Sequence, residues 1–228
     1  MNTSPTAILR HLRELQPDRN LEDHEARSVA EKQAMRLLQI LGQTGPAVDV
    51  SLIAELPRIE VRVEPNLVVS GFSQWNRGRW LLAVNRDDSL VRRRFTLAHE
   101  LKHILDNPFI SRAYLDRKGK PDEAFAEKIC DYFAACLLMP RPWIKREWIN
   151  GLQDQALLAQ LFKVSESAMA IRLRQIGLAE PRSRFDGLNA VDVSRDPRRY
   201  FRRDPRRELD VLLAGRVGGS LVAVGGTP

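Results

Sequence analysis

The chain has 228 residues, 43% of them hydrophobic, which is a globular composition long enough for one domain of about 120–150 residues plus appendages. Two cysteines at no disulfide-like spacing suit a reducing cytosol, and Met1–Leu15 holds no continuous apolar run, so neither a signal peptide nor a membrane span is expected and the protein is expected to be cytoplasmic. The net charge of +7 is compatible with nucleic acid or acidic partners without requiring either.

Residues 1–24 are polar and read as an N-terminal extension, a short helix over Ala7–Leu15 followed by a loose linker. Ala26–Leu41 has the periodicity of an amphipathic helix ended by Gly42, and Val48–Leu56 reads as a second, shorter helix. Ile59–Val63 alternates as a strand does. Leu67–Phe72 and Arg79–Val84 are expected as two more strands, with Asn76-Arg77-Gly78 turning between Ser73–Trp75 and the last of them. Such a small sheet offers an edge that an extended peptide can join. Trp80–Asn85 is expected near that edge, with burial in the sheet core as the equal alternative.

The most informative stretch follows: His99-Glu100-Leu101-Lys102-His103, an H-E-x-x-H pattern. Its helix is expected to be capped by Asp87, Asp88 or Ser89, to carry Leu90, Phe95, Ala98, Leu101 and Leu105 at helical spacing, and to stop at Asn107-Pro108. On a helix, positions i and i+4 differ by roughly 40° of rotation and about 6 Å of rise, so His99 and His103 can share one metal ion. Glu100, beside that face, can reach a water on the metal as its base. The plainer alternative is two histidines on an ordinary helix, satisfied by backbone or solvent.

Pro121 to Pro140 bracket a further helix, apolar and small in its interior. Asp122 and Glu123 fall at its start as capping groups. Glu127 and Asp131 stand at i and i+4, and two acids on the inner face of a buried helix need a partner. Glu127 is assigned as the third metal ligand and Asp131 as the acceptor that orients a ligand histidine, His99. The alternative is a solvated face with Glu123, Glu127 and Asp131 all in water. Cys130, next to this face, reads as a small core residue, and Cys130 and Cys136 cannot bridge each other on one helix. His11 and His24 are expected to be exposed and uninvolved. The usual extra oxyanion donor is not identifiable in the sequence, with Tyr114 and Tyr132 as weak candidates.

The chain resembles the ImmA/IrrE family of metallo-endopeptidases. The likeness is carried by Arg94-Phe95-Thr96-Leu97-Ala98-His99-Glu100-Leu101-Lys102-His103, by Glu127-Lys128-Ile129-Cys130-Asp131, and by Phe133–Pro140, and covers about residues 28–142. Lys102 stands where glycine is frequent, Asp131 where asparagine is common and Cys136 where glutamate is usual. The resemblance implies a gluzincin-like fold, a bound Zn2+ (with Mn2+ or Fe2+ compatible with a His/His/Glu set), and cleavage of an XRE-type helix-turn-helix repressor that relieves repression of mobile-element or stress-response genes. No helix-turn-helix precedes the domain, so the substrate is expected in trans. The competing expectation is a non-enzymatic regulator, stabilised by its metal, that binds a repressor or DNA.

The expected organisation is α+β: an extension over 1–24, a zincin-like core of helices on a small sheet over 25–142, a helix-turn-helix-like segment over 143–180, and an arginine-rich C-terminal extension over 181–228. In the third part Asp154–Phe162 and Ser165–Ile176 form two helices, the second carrying Arg172 and Arg174. Ser165, Glu166 and Ser167 at its start are poor base or phosphate readers, so the pair reads mainly as a packing or substrate-docking unit, with DNA contact as the lesser expectation. Residues 181–207 hold nine arginines, no lysine, and Tyr200-Phe201, a composition that fits nucleic acid but equally a solvated extension with Arg–Asp pairs. Leu209–Ala214 and Ser220–Val224 read as a hairpin.

Overall fold

The computed structural model describes residues 8–179, and the chain there adopts an α+β fold. The elements in order are α1 (Ile8–Arg13), α2 (Asp23–Ile40), a 3-10 turn (Val50–Glu55), β1 (Ile59–Glu64), β2 (Gly71–Asn76), β3 (Arg79–Asn85), α3 (Leu90–Asp106), α4 (Ile110–Ala113), α5 (Glu123–Leu138), α6 (Arg141–Ile149), α7 (Gln155–Phe162) and α8 (Glu166–Gln175). The arginine-rich stretch and the expected terminal hairpin lie outside the described residues. No helix among the described residues is long and apolar enough to cross a membrane.

The sheet has the order β1-β3-β2. β2 and β3 form an antiparallel hairpin in which Asn76 faces Arg79 and Trp75 faces Trp80. The two linking residues, Arg77 and Gly78, have φ of 46° and 86°, the positive values that a two-residue hairpin turn of matching twist requires. This turn fixes the register, so β2 runs from Gly71 to Asn76 rather than over the apolar Leu67–Phe72. Leu67–Ser70 is loop: the Asn85 side chain donates to the Leu67 carbonyl (3.0 Å), and Val68 is 86% exposed.

β1 pairs parallel to β3, with Ile59 opposite Trp80 and Val63 opposite Val84. Trp80–Asn85 is therefore the central strand and not an edge, and Leu82 and Ala83 are almost fully buried. Among the described residues the edges of the sheet are β1 and β2. α3 packs on β2 and β3. The approach is close at Gly71, where a Cβ would stand 2.5 Å from Thr96 Cγ2 and 2.7 Å from the Ala83 carbonyl oxygen, so only glycine fits.

Ser89 caps α3 by accepting from the Arg92 N–H (3.2 Å), and Asp122 caps α5 by accepting from Phe125 (3.0 Å). α5 packs against α3 on one side and α2 on the other, with the small residues Ala26, Ala30, Ala34, Ala126 and Ala134 all buried. A capping box between Glu22 and Glu25 opens α2.

The segment before α2 is docked rather than loose. Leu9, Leu12 and Leu21 are buried. Arg13 donates to the carbonyls of Ile104 (2.7 Å) and Leu105 (3.3 Å), groups in the last turn of α3 that have no partner within the helix. The Leu21 N–H reaches the Ala113 carbonyl (3.0 Å), and the Leu115 N–H reaches the Asn20 side chain (3.1 Å).

The α7–α8 pair turns through Lys163 in the left-handed region (φ 52°). It is pinned to the rest by two arginines. Arg94 of α3 donates to the Lys163 carbonyl (3.2 Å). Arg172, 1% exposed, donates to the Met139 carbonyl (3.1 Å), with its guanidinium 5.5 Å from the centre of the Tyr132 ring. Arg172 points into the protein and is withdrawn from any DNA surface.

Candidate metal centre

α3 carries His99 and His103 one turn apart, 8% and 7% exposed, with their Nε2 atoms 3.0 Å from each other. α5 brings Glu127 to both: one carboxylate oxygen lies 3.2 Å from His99 Nε2 and the other 3.2 Å from His103 Nε2. Two imidazole nitrogens and a carboxylate converging in this way need either a shared proton or a metal cation between them. Tetrahedral donors about 2.0–2.1 Å from a zinc ion stand about 3.3 Å apart, and the distances here are 3.0–3.2 Å. The donor set fits a divalent metal of the zinc type.

Behind the histidines the two sides differ. His99 Nδ1 lies 2.9 Å from Asp131 Oδ1. His103 Nδ1 lies 3.6 Å from the Sγ of Cys130, a residue 1% exposed. His99, His103 and Cys130 each offer a donor atom within 4.8 Å of the others, so the thiol is a second candidate ligand. The geometry favours Glu127, because the Nε2 atoms face its carboxylate while Cys130 stands at the opposite nitrogen of His103. The sequence placed Cys130 next to the face of Glu127 and Asp131 but read it as a small core residue rather than as a neighbour of His103. The signal for that contact was available, since Cys130 is at i+3 from Glu127 and shares its face.

Burial opposes the charged form of His99, but the Asp131 and Glu127 carboxylates outweigh it and raise its pKa to about 10. Burial likewise works against ionisation of Glu127, and the two imidazoles overcome it, holding the carboxyl well below the usual range. Without a metal, the centre is thus an imidazolium–carboxylate cluster. Glu100 is 8% exposed, and its negative charge acts on His99.

Tyr114 is 1% exposed and donates its hydroxyl to Asp106 Oδ2 (2.6 Å), and the Tyr132 ring lies under Arg27 (4.8 Å) as well as Arg172 (5.5 Å). Lys102 is fully buried and donates to Asp106 Oδ1 (2.6 Å) and Gln33 Oε1 (2.8 Å), and the Gln33 amide donates in turn to the Leu12 carbonyl (3.0 Å). The lysine at the glycine position therefore ties α3 to α2 and the N-terminal segment. His24 is exposed as expected and His11 is half-buried on α1; neither joins the cluster.

A small mixed sheet, an H-E-x-x-H helix laid on it, and a following helix that brings a glutamate to the two histidines make up the domain. Residues 64–174 match the family model of the IrrE N-terminal-like domain, Peptidase_M78, and this part of the chain is a domain of the ImmA/IrrE family. Among solved structures, a Mycobacterium tuberculosis transcriptional regulator shares the fold at 20% identity with a TM-score of 0.52, over 80% of this chain and 54% of that one. The chain thus spans about half the length of that protein. None of the curated proteins matches it.

Proposed function

We propose that this protein is a metal-dependent endopeptidase in which His99, His103 and Glu127 hold a divalent metal, zinc in the first instance, and Glu100 is the catalytic base. The observation that carries the reading is the convergence of the two Nε2 atoms and both Glu127 oxygens within 3.2 Å. When bound, the metal supplies Lewis acidity to a water and to the scissile carbonyl. Glu100 takes the proton of the attacking water and returns it to the leaving nitrogen. Its near-complete burial strengthens the electrostatic coupling to the reacting atoms. Asp131 accepts the Nδ1–H of His99 and so keeps the Nε2 lone pair turned toward Glu127.

The substrate we propose is an XRE-type repressor, cut in trans. Support comes from the ImmA/IrrE motifs at 94–103 and 127–140 and from the family match. Among the described residues β2 is an edge strand of the sheet that α3 packs on, and that edge is the natural place for an extended substrate segment to add as a strand. The burial of Arg172 weighs against the alternative of a DNA-reading regulator.

Incubation with the XRE-type repressor encoded nearest the gene tests the reading. Wild type should cut it, and Glu100→Gln should keep its metal while losing roughly 10²–10⁴-fold in rate, the usual contribution of general-base catalysis. Cleavage by Glu100→Gln at the wild-type rate would remove Glu100 from the chemistry. Salt-dependent DNA binding with no proteolysis would favour the regulator.

A further inference from the structure

Among the described residues, the side chains of other elements that make polar contacts with the two histidines of α3 come from α5. Glu127 faces both Nε2 atoms, Asp131 stands behind His99, and Cys130 stands behind His103. The last of these has no assigned role. An imidazole that binds a metal through Nε2 carries its proton on Nδ1, and the group that accepts this proton fixes the plane and tautomer of the ring. For His99 the acceptor is a carboxylate at 2.9 Å. For His103 it is a thiol sulfur at 3.6 Å, within reach for sulfur but a weak acceptor. Cys130 is 1% exposed, so water does not substitute for it.

We infer that Cys130 is a positioning residue for His103: its sulfur accepts the Nδ1–H and holds the ring with Nε2 turned to the metal centre. This inference rests on the metal centre proposed above. It makes the two histidines unequal, His99 held firmly and His103 loosely, and it makes the residue at position 130 a determinant of metal affinity. It also assigns Cys130 to the far side of His103 from the metal, outside the set of ligands.

The test is a titration of wild type, Cys130→Ala, Cys130→Ser and Glu127→Ala with Zn2+ against a chromophoric chelator, together with the absorption spectrum of the Co2+ forms. Loss of an outer partner of a ligand histidine typically costs about 10–100-fold in metal affinity, and a weak acceptor belongs at the lower end of that range. Cys130→Ala should therefore bind about tenfold more weakly with shifted cobalt d–d bands, and Cys130→Ser should recover part of the loss. Wild type with Co2+ should show no sulfur-to-cobalt charge-transfer band. A role in packing alone would lower the thermal stability of the metal-free protein and leave affinity and d–d bands unchanged. Wild-type affinity in Cys130→Ala, with affinity lost in Glu127→Ala, overturns the inference and spares the metal centre. A charge-transfer band in wild type also overturns it, by making the thiolate a ligand; this spectrum needs no variant to fold. Full binding by Glu127→Ala, or none by wild type, overturns the metal centre and the inference together.

Discussion

His99 is where the charge of the metal-free centre resides. Its pKa, near 6.5 in an unfolded chain, is raised to about 10 by Asp131 and Glu127 against the opposing effect of burial. Below pH 6.5 both the folded and unfolded forms carry the proton, and the contribution to stability is complete; it is lost as pH rises toward about 10. Glu127 contributes in the opposite sense: its depressed pKa stabilises the fold above its ordinary value of 4.5, and that contribution is lost at lower pH. Metal must displace the His99 proton, so apparent affinity should rise about tenfold per pH unit on the acid side of the His99 pKa. Thermal unfolding with and without Zn2+, from pH 6.5 upward, should show the metal-free protein losing stability while the increment from metal grows. An increment that stays flat across this range would contradict the assignment of His99 as a ligand. The convergence of His99, His103, Glu127 and Asp131 was legible because i and i+4 spacing on two helices leaves few ways to arrange them. The contact of Cys130 with His103 was legible only as a shared face, and the partners of Lys102, Gln33 on α2 among them, leave no mark in the local sequence.

At the scale of elements, the hairpin decides where a substrate can dock. In a two-residue hairpin the Asn76–Arg79 pair exchanges backbone hydrogen bonds, and alternate pairs do not, so the N–H of Ser73 turns to the open edge. Ser73→Pro removes that donor and leaves the ladder to β3 intact, a change tolerated at edges. Loss of one net hydrogen bond to substrate, about 1 kcal/mol, should lower kcat/KM roughly fivefold with metal content unchanged. Unaltered kcat/KM would remove the β2 edge from the substrate path. The short α4 was not read and α6 was not delimited, but α1, α2, α3, α5, α7 and α8 were read from sequence within a few residues because caps, glycines and prolines mark their ends. The sheet was not: a parallel β1–β3 pairing leaves no local mark, so Trp80–Asn85 was open to being read as an edge, and the apolar Leu67–Val69 imitates a strand although the register of the Arg77-Gly78 turn excludes it.

At the scale of the described molecule, single side chains hold the appendages to the site. Arg13 and the Lys102–Gln33–Leu12 chain fasten the N-terminal segment to α3, and Arg172 fastens α8 to the end of α5. None of these contacts is visible in a sequence, since each joins residues far apart in the chain, and an arginine on a helix-turn-helix-like segment reads first as a surface group. Arg172→Leu leaves the buried Met139 carbonyl without its donor and should lower unfolding stability by about 1–3 kcal/mol, measured by denaturant titration. A stability equal to wild type would return Arg172 to the surface.

The central claim is that two histidines and Glu127 form a metal site that serves peptide cleavage. Its most direct measurement is the metal content of purified wild type and Glu127→Ala by elemental analysis, with the repressor incubation run on the same samples. The account predicts one equivalent of divalent metal and cleavage for wild type, and loss of both in Glu127→Ala. Full metal occupancy in Glu127→Ala, with cleavage retained, would contradict it.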